Sequence, residues 1–319
     1  MKHFICRTYL HFVALLSPVA VVLPFSINIA PPLNKLSTLP PLTDTSNDHP
    51  PTTPTLTTAA AKEVHSLAKS SAHQIPGSIN NLRKWRHWSK LAITHIRHTL
   101  VTRYLPCAID TEGVSKLKFE LGVAADTGAR PSFSHAGSRA GYAVDFFCRA
   151  QLLADLLWDN KNCGGETSLF TLRLGELLSY RGGELSLSSS PLVRVSSLGG
   201  GPGYDFVAVA LVAYFSLVAS PLSVVVRAKV YDYEMGWEDL VVAMSCATGA
   251  VLGGVRSGSS SVDGDSGECE CDWGGKCDIT QALNHPHNAA LTQEEIENTD
   301  LWICQYCVAE NAKELRDNE

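Results

Sequence analysis

The chain has 319 residues, 45% of them hydrophobic, which is enough for one domain with extensions or for two domains. Its formal net charge of −6 gives no general reason to expect a nucleic-acid partner. Ten cysteines in so long and apolar a chain argue against a small disulfide scaffold and leave free thiols as the default.

Lys2 and Arg7 precede a largely apolar run, Phe12 to Ala30, broken by Pro18 and Pro24. Residues 1–30 therefore read as a signal-like or anchor-like segment, with membrane association through residues 12–30. Residues 31–78 form a Pro/Thr/Ser-rich tract too poor in apolar residues to build a core, so disorder is expected there. Together the two segments resemble a bipartite plastid leader or the anchor and stem of a Golgi enzyme. No Asn lies in an N-x-[ST] sequon, which weakens the second. The expected location is organellar or membrane-anchored rather than plainly cytoplasmic.

Residues 79–190 read as mainly helical. Arg83, Lys84, Arg86, Lys90, Arg97 and Arg103 make a basic helix, with Leu82, Trp85, Ile93 and Ile96 near one face. Cations interleaved with tryptophan suit RNA or an anionic membrane. Long cationic stems that cover an apolar face are the better-weighted reading. A further helix is predicted over Tyr142 to Trp158, while Leu117–Val123 and Leu169–Leu178 are short and helical in pattern.

Residues 191–319 hold the most informative pattern. Val193, Val195 and Leu198 mark a strand that ends in Gly199-Gly200-Gly201-Pro202-Gly203, and an apolar helix follows from Tyr204 to Ala219. A strand–glycine turn–helix unit places backbone close to whatever binds at the strand's carboxyl end. No Lys-Ser or Lys-Thr pair follows, so this is not a phosphate-binding P-loop. Tyr204 stands where a dinucleotide fingerprint needs its third glycine. Ser223 to Glu234 reads as a second strand ending in acids. Asp232 and Glu234 share one parity and Tyr231 and Tyr233 the other, so the acids are expected on one face. A helix over Trp237 to Ala250 closes at Gly249, Gly253 and Gly254. A flexible insertion is expected at 255–276, then a short third strand ending at Cys277-Asp278-Ile279-Thr280. A helix over Thr292–Asn298 and a fourth strand from Asp300 to Glu310 follow.

The spacing Gly199-x-Gly201-x-Gly203, then Asp232-x-Glu234-x-x-Trp237, then Asp278-Ile279-Thr280, resembles class I S-adenosylmethionine-dependent methyltransferases. It is similar in particular to a poorly characterised eukaryotic group within them, over roughly residues 140–312. The resemblance implies an α/β, Rossmann-like, mostly parallel sheet with helices on both faces. S-adenosylmethionine would be the cofactor, held by Gly199, Gly200, Gly201, Gly203, Asp205, Asp232, Glu234 and Asp278. It further implies that a helix before the glycine turn covers the cofactor, through Tyr142, Asp145 or Arg149. Many members carry an acid two residues before the first glycine. Here that residue is Ser197, and Asp205 would take over part of the role. The family's sheet has seven strands, and this sequence stops about one helix after the fourth, which reads as a truncation.

The methyl acceptor is not legible, and Glu310 is the candidate acceptor-side catalytic residue. Cys269, Cys271, Cys277, Cys304 and Cys307 offer a zinc site only if Cys304 and Cys307 turn to one side, against strand alternation, so no metal is expected. No G-x-S-x-G elbow exists, and His285-Pro286-His287 reads as a loop. Two readings from different classes remain: a methyltransferase, and a catalytically inactive Rossmann-like binding protein derived from one. A membrane-anchored nucleotide-binding protein is a weaker third.

Overall fold

The computed structural model describes residues 79–158, 192–217, 225–252 and 269–305. The anchor-like segment, the Pro/Thr/Ser-rich tract, Leu169–Leu178 and Glu310 lie outside the described residues.

A helical layer comes first. Helix α1 (Ile79–Thr99) runs into a π-helical turn at Leu100–Tyr104, followed by α2 (Thr111–Thr127), α3 (Ala136–Asp145) and α4 (Cys148–Trp158). In α1 the residues Trp85, Ser89, Ala92 and Ile96 recur every three or four positions and are buried, with Ile93 beside them. Each fully buried large side chain contributes about 1.5–3 kcal/mol. Trp85 stacks on Trp158 at 4.3 Å and donates its indole N–H to Asp155 Oδ1 at 2.9 Å. The apolar stripe thus faces α4 and the helix Glu238–Leu252, while Arg86, His87, Lys90 and His98 stay outside.

The single helix predicted over Tyr142–Trp158 is in fact two. Phe146 leaves helical geometry (φ −98°, ψ 18°), so that Phe147 enters the core while Phe146 stacks on Tyr142 at 4.5 Å.

The α/β core contains β1 (Leu192–Leu198), α5 (Tyr204–Leu217), β2 (Val225–Asp232), a 3-10 turn at Met235–Trp237, and α6 (Glu238–Leu252). It continues with β3 (Cys269–Lys276), a 3-10 turn at Pro286–Asn288, α7 (Gln293–Asn298) and β4 (Leu301–Ile303). Among the described residues the strands form one all-parallel sheet in the order β3-β2-β1-β4. This is a Rossmann-like α/β arrangement. Val193, Val195, Val226, Ala228 and Val230 join one core with Phe206, Val207, Leu211, Leu240 and Met244. On the other face Tyr231 packs with Cys277, Leu291 and Trp302.

Four expectations change. The insertion predicted at 255–276 contains β3, which pairs with β2 from Val226↔Cys269 to Asp232↔Lys276. Its glycines and acids hide the strand in the sequence, although Glu270 and Asp272 alternate with Cys271, which is buried. Consequently Cys277–Thr280 is the turn after the strand rather than its end. Gly249 lies inside α6 instead of closing it, and β4 is three residues long.

Candidate functional site

In the order β3-β2-β1-β4, the chain leaves β1 in one direction for β2 and β3, and returns on the other side as β4. Crevices of open α/β sheets lie at such reversals, outside the carboxyl ends of the strands. Here the crevice has about 630 Å³ of atom-free space. All four strands reach it at or just beyond their ends: Gly199–Pro202, Tyr204 and Asp205 after β1, Asp232 and Tyr233 at β2, Cys277–Ile279 after β3, and Gln305 after β4. Gly203 is not part of the lining; a Cβ there would face Cys271, Val230 and Met244 in the core. Phe133, Tyr142, Arg149 and Trp237 complete the lining.

The floor is the glycine turn. Gly199, Gly201 and Gly203 have φ of 64°, 54° and 94°, a region L-residues with a side chain rarely occupy. Gly200 is there for another reason: a Cβ would stand 2.1 Å from Ser197 Oγ. That hydroxyl donates to Asp205 Oδ2 at 2.6 Å, and both residues are buried. Burial pushes the Asp205 carboxyl up to about 7, against the lowering pull of the Ser197 hydrogen bond and the Arg149 charge. Ser197 and Asp205 thus form one unit.

Asp232 is buried at the end of β2. Its Oδ2 accepts the Gly201 N–H at 3.0 Å and its Oδ1 the Glu234 N–H at 3.1 Å. The carboxylate therefore ties the glycine turn to the second strand and still has lone pairs to offer. Glu234 does not share its face. The strand stops at Asp232, and Glu234 turns away to cap the 3-10 turn, accepting the Gly236 N–H at 3.0 Å. With alternation lost, Tyr233 lines the crevice beside Asp232, whereas Tyr231 remains on the opposite face.

Asp278 reaches the crevice but is already engaged. Arg130 donates to its two oxygens at 2.7 and 3.2 Å, and the Thr280 N–H and hydroxyl donate at 3.1 and 2.7 Å. Burial pushes this carboxyl up, but Arg130 and Thr280 outweigh it and the net shift is downward. Tyr142 and Arg149 line the crevice as expected of a covering helix. Asp145 instead pairs with Lys118 at 2.8 Å.

Several residues at or beside the crevice carried no sequence signal of their own. Phe133 sits in a loop between helices, Gln305 follows a three-residue strand, and Arg130 is 148 positions from its partner. Cys277 also lines the crevice, where burial, with help from Asp278 and Asp232, pushes its thiol up to about 12. Among the described residues no three His, Cys, Asp or Glu side chains stand close enough to hold a metal ion. His285 accepts the His287 N–H and so caps its own short turn.

The arrangement provides a backbone cradle, a buried carboxylate beside it and a wall of aromatic rings. That suits a small ligand with both apolar and hydrogen-bonding groups. No family model matches this chain, and no curated protein or solved structure matches it either.

Proposed function

We propose that the chain is an S-adenosylmethionine-dependent methyltransferase of class I fold. The observation that carries this reading is the Gly201 N–H hydrogen bond to Asp232, which joins a left-handed glycine turn to a buried acid 31 positions on. In this reading the backbone of Gly199–Gly203 runs under the cofactor's methionine and ribose. Asp232, at the end of the second strand, accepts the ribose hydroxyls. Asp205, held by Ser197, faces the polar tail from the floor. When bound, the cofactor supplies a sulfonium methyl group. The protein's part is to align an acceptor with it, which is mainly a matter of proximity and orientation. The acceptor remains open, and Glu310 is proposed on its side.

A catalytically inactive binding protein is the second reading. It is favoured by one observation: Arg130 occupies Asp278, the acid the resemblance assigns to the adenine amino group. Calorimetric titration of the full chain with S-adenosylmethionine tests the first reading, beside Gly201→Val and Asp232→Ala. Micromolar binding lost in both variants is expected. A well-folded chain that takes up no cofactor ends the methyltransferase reading. Binding without any S-adenosylhomocysteine formed on incubation with cellular RNA, protein and metabolite fractions favours the second.

A further inference from the structure

We propose that the segment Gly128–His135 is a strap across the crevice, latched by Arg130 on Asp278, and that releasing the latch admits the ligand. The inference rests on the crevice being the ligand site, as proposed above, and not on which ligand fills it.

The strap joins α2 to α3. It begins at Gly128, a left-handed C-cap (φ 70°) whose N–H donates to Ala124 O. Phe133 is its one buried residue, 6% exposed, and its ring lines the crevice between Trp237 at 5.0 Å and Tyr142 at 5.4 Å. The far end is clamped. Arg139 donates to the Phe133 and Ser134 carbonyls, and its guanidinium fills the space where Gly236 lacks a side chain.

The near half is held differently. Arg130 grips Asp278 with two donors and donates to Thr280 Oγ1 at 2.7 Å. The Tyr233 hydroxyl donates to Pro131 O at 3.0 Å, under an Arg130 guanidinium 5.6 Å from the ring centroid. The Ser132 N–H donates to Glu120 Oε2 at 3.0 Å. These are polar, partly solvated contacts that water can replace, so the near half can lift without unpacking the apolar core. The ends of the strap supply the asymmetry a hinged cover needs: a fixed clamp at Arg139 and a releasable latch at Arg130. A ligand group that hydrogen-bonds Asp278 must displace Arg130, so entry and unlatching are one event.

Cys277 reports on the latch without any ligand. It is 3% exposed and lines the same crevice, whereas Cys271 is 2% exposed in the core behind it. Full-length protein is labelled with methyl methanethiosulfonate and mapped by peptide mass spectrometry. Arg130→Met is expected to speed Cys277 labelling by about tenfold, the weight of one charge-assisted pair, with Cys271 unchanged. Removing the Arg130 cation leaves Asp278 freer to suppress the Cys277 thiolate. Electrostatics alone would therefore slow labelling, and a rise reports opening. An unchanged Cys277 rate overturns the latch. If both thiols accelerate together, the decision passes to Arg130→Lys, which keeps the charge and loses the fork. A selective Cys277 rise there supports the latch, and no selective rise overturns it. Selective opening in a chain that does not bind S-adenosylmethionine keeps the latch and removes the cofactor reading. Cofactor binding without selective opening does the reverse.

Discussion

The crevice has a floor and a roof, and they are held together in opposite ways. In the floor Ser197 and Asp205 are eight positions apart, fully buried, and joined across a turn whose glycines fix the path of the chain. In the roof Arg130 and Asp278 are 148 positions apart, and the Arg130 side chain is 33% exposed. The floor is made by contacts within a short stretch of chain, whose glycines permit the turn. The roof exists only once two distant parts of the molecule have been brought together, and it rests on contacts that water can compete for. A rigid floor with a releasable roof suits a site that must be preorganised and still admit a ligand.

The largest effect that separates the two is expected from Gly200→Ala. Its Cβ would collide with Ser197 Oγ, displacing the partner of Asp205, and overpacking of this kind costs about 3 kcal/mol in urea denaturation. A loss under about 1 kcal/mol would mean that the floor yields as readily as the roof.

The two carboxyls also predict pH dependences of opposite sign. Asp205 holds its proton more tightly folded than unfolded, since its value rises from 3.8 to about 7. Across that window the native chain binds more protons, so this residue's contribution to stability falls as pH rises, on the order of 1.4 kcal/mol per pH unit. Asp205→Asn should flatten that slope in urea melts taken across the window. Asp278 is shifted the other way, so its contribution is present above the unfolded value and is lost as pH falls through the folded one. Asp278→Asn should remove acid-side loss and leave the Asp205 slope intact. Identical pH profiles for the two variants would erase the distinction.

A double-mutant cycle of Arg130→Met and Asp278→Asn should give a coupling of about 1 kcal/mol that shrinks in high salt, because one partner is partly solvated. The smallest effect belongs to Arg227–Glu270, a 3.6 Å pair away from both floor and roof, with side chains 59% and 48% exposed. Arg227→Ala should change stability by no more than about 0.5 kcal/mol. A larger loss would show that the open face of the sheet carries more of the fold than its exposure indicates.

The sequence by itself determined the floor. A strand, a glycine turn and a buried helix are written in near-neighbour terms: β-branched alternation, positions that demand positive φ, and an apolar run long enough to be enclosed. The order glycine turn, helix, strand and acid carried the resemblance, and the resemblance in turn implied the Rossmann-like class and a place for Asp232 at the same ligand site. Tertiary structure alone decided the rest. The stretch Cys269–Lys276 has the composition of a loop and is a strand because β2 offers it a partner edge. Glu234 and Asp232 part company because the strand ends between them. The Tyr142–Trp158 helix breaks at Phe146, where Phe147 joins the core beside Tyr142 and Phe146 stacks on Tyr142 at the core's margin. Arg130, Phe133 and Gln305 join the site through contacts between residues far apart in the chain. Local periodicity carries no record of such contacts, because their energy is realised only after the chain has folded back on itself.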